Sequence, residues 1–266
     1  MLFCNQITKI FNKGTLNEKI ALDSVNLHLE KGDFVTVIGG NGAGKSTLLN
    51  AIAGSFFLDG GTLQLDGIDM TFMQEHRRAR FIGRLFQDPL KGTAPDMTIE
   101  ENMALAYGRG KKSGLRIGIG KAQKEFFYEK LKELDLGLEE RMKNKMGLLS
   151  GGQRQAVTLL MATMSTPKLL LLDEHTAALD PATAEKVIAL TKKIVSENHI
   201  TTVMITHNIH SALECGNRTI MMDDGKIILD IKDEERKNMT VDSVLQLFRQ
   251  KSQKELDNDR MLLIKE

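Results

Sequence analysis

One segment of the sequence combines glycines, a lysine and two hydroxyl residues at a spacing that suits phosphate groups. Residues 39–47 read GGNGAGKST, and residues 39–46 fit the pattern G-x-x-x-x-G-K-[ST]. In such a segment the glycines let backbone N–H groups wrap around phosphates, while the next helix directs its positive N-terminal end at them. The residues that we expect to line this phosphate loop are Gly39, Gly40, Asn41, Gly42, Ala43, Gly44, Lys45, Ser46 and Thr47.

Two side chains of the phosphate loop have separate predicted roles. Lys45 would reach the β- and γ-phosphates of a nucleotide, and the Ser46 hydroxyl would be a ligand of Mg²⁺. The alternative is a glycine-rich turn that only joins a strand to a helix. A β-branched run at residues 34–38 before the loop and a helix-forming run at residues 47–53 after it favour phosphate binding.

A pair of carboxylates follows a run of leucines later in the chain. The run is LLLL at residues 169–172, and Asp173 and Glu174 come directly after it. Ligands bind at the carboxyl ends of the strands in a parallel sheet, so we expect these carboxylates beside the phosphate loop. Asp173 would hold Mg²⁺, and Glu174 could act as the base that aligns a water with the γ-phosphate. Taken alone, the pair could equally be a turn at a strand end.

The elements that must position these residues alternate between strand and helix patterns. Strand-like runs dominate the start of the chain and return at residues 168–172 and 201–206, with a hairpin turn predicted at Asp224-Gly225. Between about residues 88 and 166 the pattern is helical, with a capping box at Thr98–Glu101 and a helix cap at Ser150. The sequence therefore predicts an α/β core with a largely parallel sheet, interrupted by a helical insertion.

Composition sets the broad class of protein. The chain has 266 residues with 36 Lys+Arg against 35 Asp+Glu, a net charge of +1 that gives no reason to expect a nucleic-acid partner. Cys4 and Cys215 are too far apart in sequence for a zinc motif and do not suggest a disulfide framework. No apolar run approaches the roughly 20 residues that span a bilayer.

A further motif identifies the type of phosphate-loop protein. Residues 149–153 read LSGGQ, shortly before the acidic strand end, and together with the phosphate loop they resemble the ATP-binding cassette of ABC transporters. Other family motifs follow in order: Gln87 matches the glutamine loop, Asp180 the D-loop and His207 the switch histidine. Phe11 stands where such cassettes place an aromatic residue that stacks on adenine. The resemblance covers roughly residues 2–229.

The resemblance implies a fold and a domain organisation. The fold would be a P-loop NTPase of the ABC ATPase type, with a RecA-like core, an antiparallel β subdomain and an inserted helical subdomain. We expect the ATP-binding domain at residues 1–240, with its helical subdomain at about 88–164. Residues 241–266 would form a C-terminal helical tail.

The resemblance also implies site roles, with ATP and Mg²⁺ as cofactors. Glu174, His207 and Gln87 would be catalytic, and Gln87 would join Ser46 and Asp173 around the metal. A second copy of the cassette would contribute its own signature residues to the γ-phosphate, so that a dimer encloses two ATP molecules. The residues expected at that interface are Ser150, Gly151, Gly152, Gln153 and Asp180.

The implied partners are a second cassette and integral-membrane permease subunits, with an extracytoplasmic solute-binding protein beyond them. The chain would lie at the cytoplasmic face of the cell membrane and power solute transport, more in the manner of an importer. The sequence around 149–155 and 173–181 resembles a bacterial importer subgroup, some members of which are labelled for tryptophan or tyrosine. This resemblance implies an amino acid or a similar small solute. An exporter or lipoprotein-release cassette, or an ABC ATPase outside transport, is the alternative function.

Several residues have simpler alternative interpretations. Phe11 could be a core residue, Gln87 a surface residue, His207 a structural histidine, and Asp180 a helix cap that needs no ligand. His175, which follows Glu174, is expected to be a tolerated loop substitution, with a side chain that reaches the site as the alternative. The basic segment at residues 109–121 is expected to be a solvated loop, with contact to anionic lipid or to a partner subunit as the alternative.

Two other classes of phosphate-loop protein fit the sequence less well. Kinases and GTPases with a phosphate loop would lack the LSGGQ motif. A non-hydrolysing regulatory cassette would not need intact Lys45, Asp173, Glu174 and His207.

Overall fold

The computed structural model describes residues 1–109 and 118–252 of the chain. Within these ranges the chain divides into two compact units: residues 1–78 with 200–252 form the first unit, and residues 79–109 with 118–199 form the second unit. In chain order the strands and α-helices are β1 (Leu2–Phe11), β2 (Lys19–Leu29), β3 (Phe34–Ile38), α1 (Lys45–Ala53), β4 (Gly60–Leu65), β5 (Ile68–Asp69), α2 (Glu75–Arg78), β6 (Ile82–Leu85), α3 (Ile99–Tyr107), α4 (Lys121–Lys132), α5 (Gly151–Thr163), β7 (Leu169–Asp173), α6 (Pro181–Glu197), β8 (Thr201–Ile205), α7 (Ile209–Glu214), β9 (Arg218–Asp223), β10 (Lys226–Lys232), α8 (Asp233–Lys237) and α9 (Val241–Ser252).

The first unit contains two groups of paired strands. One is an antiparallel sheet in the order β2-β1-β4-β5. In the other, β3 pairs in parallel with both β8 and β9, and β10 pairs antiparallel with β9. All five residues of β3 and all five of β8 are buried, which explains why both strands read as continuous apolar or β-branched runs. The predicted hairpin turn is confirmed, because Asp224 and Gly225 join β9 to β10.

The second unit combines a parallel pair of strands, β6 and β7, with most of the helices. Its helical part has a buried apolar cluster to which α3, α4 and α5 contribute, with Phe127 and Val157 fully buried. The predicted capping box before α3 is confirmed: Glu101 N donates to Thr98 Oγ1 at 3.3 Å, and Thr98 N donates to Glu101 Oε2 at 2.7 Å. The predicted helical subdomain at about 88–164 falls within this unit.

Three further sequence predictions concern the cysteines, membrane-spanning helices and two segments of the chain. Both cysteines are buried, and neither forms a disulfide. Among the helices of the described ranges, none has the length and apolar character needed to cross a membrane. Most of the basic segment at 109–121 lies outside the described residues, although Arg109 itself is half-buried. Residues 253–266 of the predicted C-terminal tail also lie outside them.

Candidate functional site

The phosphate loop of the first unit has a backbone that only glycine can adopt at key positions. It follows β3, and Gly39, Gly42 and Gly44 have φ values of 147°, 77° and 100°. A Cβ atom on Gly39 would overlap the Met222 carbonyl oxygen, and one on Gly44 would lie 2.6 Å from the Ala21 carbonyl oxygen. Gly39 and Gly44 are thus required both by their conformation and by close contacts with neighbouring backbone.

A positive end of a helix and a lysine meet at this loop. Helix α1 begins at Lys45, and its N-cap, Gly44, has no side chain that caps the helix. The Lys45 side chain is 5% exposed, and its Nζ donates to the carbonyl oxygens of Gly39 at 2.8 Å and Gly40 at 2.9 Å. The ammonium is therefore enclosed by the loop, where it and the helix dipole attract an anion together.

A turn from the far end of the chain holds the loop in place. Gly225 N donates to the Ala43 carbonyl oxygen at 3.0 Å, and Asp23 N donates to the Gly225 carbonyl oxygen at 3.0 Å. Lys226 and Asp23 form an ion pair at 3.0 Å beside these bonds. The loop, β2 and the β9–β10 turn thus form one hydrogen-bonded assembly that local sequence motifs do not reveal.

His207 lies at the same strand edge as the phosphate loop. Strands β3 and β8 are parallel neighbours, with Val37 opposite Ile205, and Thr206 N donates to the Val37 carbonyl oxygen at 3.2 Å. Residues that follow the two strands therefore emerge at one edge, the loop from β3 and half-buried His207 from β8.

Phe11 is at the end of β1, in the antiparallel sheet of the first unit. Its side chain is 37% exposed, and its ring meets the Phe56 ring edge-on with centroids 5.5 Å apart. Lys9 Nζ lies 5.5 Å from the Phe11 ring centroid. This partial exposure suits stacking with a planar ligand and argues against the alternative of a buried core residue.

The second unit brings the acidic strand end together with Gln87. Strands β6 and β7 are parallel neighbours with Leu85 opposite Leu172, so Asp173 at the end of β7 and Gln87, two residues beyond β6, emerge at one edge. Glu174 has φ 46°, a left-handed conformation that is uncommon for a residue with a side chain. Ala177 N donates to the Glu174 carbonyl oxygen at 2.9 Å, which closes the turn after the strand. Strained backbone of this kind clusters at functional sites.

His175 differs from the loop substitution that the sequence suggested. Its side chain is 2% exposed, and its Nε2 lies 3.2 Å from Thr191 Oγ1 on α6. Burial lowers the pKa of this imidazole from 6.5 to about 4, so it is neutral at pH 7. His175 is a packed, hydrogen-bonded residue that joins the turn after Glu174 to α6. A buried partner sixteen residues away in sequence leaves no local signal.

The LSGGQ segment forms the beginning of α5 with its own hydrogen bonds. Gln153 N donates to Ser150 Oγ at 3.3 Å, and Ser150 N donates to Gln153 Oε1 at 3.2 Å, a closed capping box. This confirms the helix cap predicted at Ser150.

The beginning of α6 lies beside the beginning of α5. A Cβ atom on Gly151 would come within 3.2 Å of Leu179 Cδ2, and one on Gly152 would overlap Thr183 Cγ2. Asp180 caps α6, because Thr183 N donates to its Oδ1 at 3.0 Å, and this bonding holds the pKa of the Asp180 carboxyl below its usual value. The second unit thus presents two adjacent helix N-termini.

The predicted site residues divide between the two units. The phosphate loop, His207 and Phe11 belong to the first unit. Gln87, Asp173, Glu174, Asp180 and the LSGGQ residues belong to the second.

The donors predicted for Mg²⁺ have the right chemistry for that ion. They are the Ser46 hydroxyl, the Asp173 carboxylate and the Gln87 amide oxygen, all hard oxygen ligands. Within the described ranges no group of three or more His, Cys, Asp or Glu side chains could hold a metal. Predicted ligands that include only one carboxylate suit Mg²⁺, which takes its other ligands from substrate phosphates and water.

Comparisons with known proteins agree with this geometry. The profile of a family described as ABC transporter matches residues 22–177. A tyrosine transport ATP-binding protein of Clostridioides difficile (strain R20291) is 42% identical over 248 residues, which are 93% of this chain and 98% of that protein. The methionine import ATP-binding protein MetN of Streptococcus agalactiae (strain NEM316) is 34% identical over 236 residues, 84% of this chain and 64% of that protein.

The fold of this chain is also similar to that of a solved structure. The dimeric, post-hydrolysis structure of the ATP-binding cassette MJ0796, bound to ADP and Pi, has a TM-score of 0.75 and 32% identity. The match covers 87% of this chain and 98% of that chain. These likenesses confirm the fold class that the motifs predict.

Proposed function

Because the chain belongs to the ABC transporter family and carries its ATP-binding cassette, we propose that it drives amino-acid import through separate permease subunits. Cassettes of this family bind and hydrolyse ATP, and this chain is one of them. The observation that carries the proposal is the phosphate loop, with Lys45 enclosed and His207 emerging at the same strand edge. The residue roles, the metal, the solute and the other partners are parts of the proposal.

Binding of the adenine and of the phosphates is assigned to residues of the first unit. The adenine ring stacks on the exposed part of Phe11, and the phosphates lie in the loop at residues 39–47, where Lys45 meets the β- and γ-phosphates. The Ser46 hydroxyl, with Asp173 and Gln87, would hold Mg²⁺, which neutralises phosphate charge when bound. Gly39 and Gly44 fit this role because a side chain at these positions would clash with the carbonyl oxygens of Met222 and Ala21.

Hydrolysis is assigned to a carboxylate and a histidine. Glu174 accepts a proton from the attacking water and aligns that water with the γ-phosphorus, and His207 donates a hydrogen bond to the γ-phosphate. The left-handed backbone of Glu174 supports this role, because a fixed turn limits the positions that the carboxylate can reach. Gln87 would provide its amide oxygen as a ligand of Mg²⁺.

The remaining assigned residues act on a second copy of the chain. Ser150 and Gly151, at the positive N-terminal end of α5, would bind the γ-phosphate held by the partner copy, with Gly152, Gln153 and Asp180 around them. The likeness to a dimeric cassette with ADP and Pi supports this arrangement. Loss of the γ-phosphate would then weaken the dimer, which couples hydrolysis to opening.

The transport role is supported by the relatives rather than by a pocket in this chain. A tyrosine transport and a methionine import ATP-binding protein are among the most similar relatives, and the chain spans 98% of the first and 64% of the second. We therefore assign an amino acid as the solute, with a permease in the membrane and a solute-binding protein beyond it. The chain itself would sit at the cytoplasmic face of the membrane.

A single substitution tests the catalytic assignment. Glu174→Gln should retain ATP binding, lower the ATP turnover rate about 10²–10⁴-fold and make the ATP-bound dimer persist. Glu185→Gln is the matched control, because Glu185 is exposed on α6 and the same charge is lost. Turnover by an ATPase assay and dimer content by size-exclusion chromatography are the two readouts. Normal turnover in Glu174→Gln would contradict the assignment.

The solute is tested by uptake. The chain is reconstituted with its permease and solute-binding protein in vesicles, and uptake of labelled tyrosine and methionine is compared with uptake of a sugar. ATP-dependent uptake of an amino acid is expected. ATPase activity with no amino-acid uptake, or ATP-driven release of the solute, would reject the import assignment and leave the cassette assignment intact.

A further inference from the structure

The side chain of a second lysine, Lys19, lies against the phosphate loop, although Lys19 belongs to none of the sequence motifs described above. Lys19 is the first residue of β2 and pairs with Phe11 on the neighbouring strand β1. A Cβ atom on Gly42 of the loop would lie 3.4 Å from Lys19 Nζ. The ammonium group therefore lies against the loop, on the strand that pairs directly with the residue assigned to adenine.

The backbone that carries Lys19 is held firmly against the loop. Two residues further along β2, the Ala21 carbonyl oxygen is packed where a Gly44 side chain would be. Asp23 is bonded to Gly225, and Gly225 is bonded to Ala43 of the loop. Because these contacts fix the start of β2, only the side-chain torsions of Lys19 remain to be set when a ligand binds.

Lys45, within the phosphate loop, and Lys19, beside it, occupy different environments. Lys45 is enclosed and donates to two loop carbonyls. Lys19 is exposed and forms no salt bridge with any residue in the described ranges. An exposed ammonium without a carboxylate partner keeps its attraction for an incoming anion, and the loop is where the phosphates are assigned.

We propose that Lys19 is a second phosphate-binding lysine, which binds the phosphate chain of the nucleotide on the solvent side of the loop, between Gly42 and the adenine on Phe11. This inference rests on the proposed function, because it takes the ligand to be an adenine nucleotide. Lys19 acts by electrostatic attraction in binding and is not assigned a part in hydrolysis.

Two consequences separate this role from a general effect of charge. The contribution of Lys19 requires phosphates, so ADP depends on it and adenosine does not. It also comes from an exposed charge, so salt screens it, since the Debye length falls from about 10 Å at 0.1 M to about 3 Å at 1 M. An enclosed lysine such as Lys45 is screened less.

The experiment measures dissociation constants by isothermal titration calorimetry on the full chain, with MgADP and with adenosine. The variants are Lys19→Gln, Lys19→Arg, Lys45→Ala and the control Lys31→Gln, which removes an exposed charge from the turn between β2 and β3. At low salt we expect Lys19→Gln to weaken MgADP binding about tenfold, ~1.4 kcal/mol. Lys19→Arg should restore most of the affinity, and Lys31→Gln should match the unmodified chain.

Each result has one meaning. Unchanged MgADP affinity in Lys19→Gln, with a clear loss in Lys45→Ala, would overturn this inference and leave the proposed function standing. An equal loss in Lys31→Gln, an equal loss of adenosine binding, or no effect of salt would also overturn it. Unchanged affinity in Lys45→Ala as well would reject the proposed phosphate site itself. Urea unfolding of each variant confirms that the fold is retained.

Discussion

The helices α1 and α5 both begin at sequences suited to anions, but their first turns are built differently. Helix α1 follows a glycine N-cap without a capping side chain, and Lys45 is enclosed by the loop before it. Helix α5 has a serine N-cap, and Ser150 and Gln153 bond reciprocally in a closed capping box. One helix start therefore uses glycine and a buried charge, whereas the other is capped by its own side chains.

The difference indicates how the N-termini of α1 and α5 would bind phosphate. The α1 loop, with Lys45 held inside it, suits a site that one chain can provide by itself. The N-terminus of α5 is already stabilised without a ligand by the hydrogen bonds between Ser150 and Gln153. A phosphate would have to share or replace those bonds, so this N-terminus suits a reversible contact. Stable binding in the first unit and reversible contact in the second are what the proposed cycle requires.

Loss of the loop lysine should give the largest effect on binding. Lys45→Ala removes the enclosed ammonium, and charged hydrogen bonds of this kind are worth about 1.5–3 kcal/mol. We expect MgADP affinity to fall about 100-fold, roughly 2.7 kcal/mol, in isothermal titration calorimetry. Ser150→Ala should leave MgADP binding by the separate chain unchanged, and an equal loss in both variants would remove the distinction between the two helix starts.

Gly44 of the phosphate loop should not tolerate a side chain. Gly44→Ala combines φ 100° with a Cβ only 2.6 Å from the Ala21 carbonyl oxygen, so we expect a loss of roughly 2–4 kcal/mol in the free energy of unfolding. Gly32→Ala is the matched control, because Gly32 has φ 87° with nothing within 4 Å of the added atom. Its cost should be only the ~1–2 kcal/mol of the left-handed backbone. Urea unfolding measures both, and equal losses would show that the packing around the loop is loose.

The buried thiol of Cys4, in the first unit, should make the free energy of unfolding decrease at alkaline pH. Burial raises the pKa of the Cys4 thiol from 9.0 to about 12. The unfolded chain therefore loses this proton from about pH 9 while the folded chain keeps it, so stability falls as pH rises through that window. By pH 10.5 the loss from this one group is roughly 2 kcal/mol. Urea unfolding at pH 8 and pH 10.5 should show a smaller drop for Cys4→Ala than for the unmodified chain, and equal drops would contradict the assignment.

The capping boxes should give the smallest effect on stability. Ser150→Ala should cost about 1 kcal/mol in the free energy of unfolding, and Thr98→Ala, at the matching box before α3, should cost about as much. Only Ser150→Ala should also lower ATP turnover and ATP-dependent dimerisation. Equal activity in the two variants would mean that Ser150 is a helix cap and nothing more.

Local chemistry made much of the fold predictable. The capping boxes at Thr98 and Ser150, the turn at Asp224-Gly225 and the cap at Asp180 depend on neighbouring residues, and all are present. Helix α1 begins at Lys45, slightly before the predicted residue 47, because the left-handed Gly44 already ends the loop. Apolar runs with strand length predicted β3, β7 and β8, since fully buried strands need no polar face.

The remaining contacts join residues that are distant in the sequence. Gly225 bonds to Ala43, Lys19 lies on Gly42, and His175 bonds to Thr191. Each depends on where the fold places two separate elements, and no local spacing or periodicity encodes it. The roles proposed for Gln87, Glu174 and His207 likewise depend on a bound nucleotide and on a second copy of the chain.

One mixing experiment tests the central claim, that the two helix starts of different copies form one site. Lys45→Ala and Ser150→Arg are purified separately, and each alone should lack ATPase activity. When they are mixed in equal amounts, roughly a quarter of the normal activity should return, because half of the random dimers are mixed and each has one intact pair of starts. Normal activity of Ser150→Arg alone, or no recovery on mixing despite dimer formation, would contradict the account.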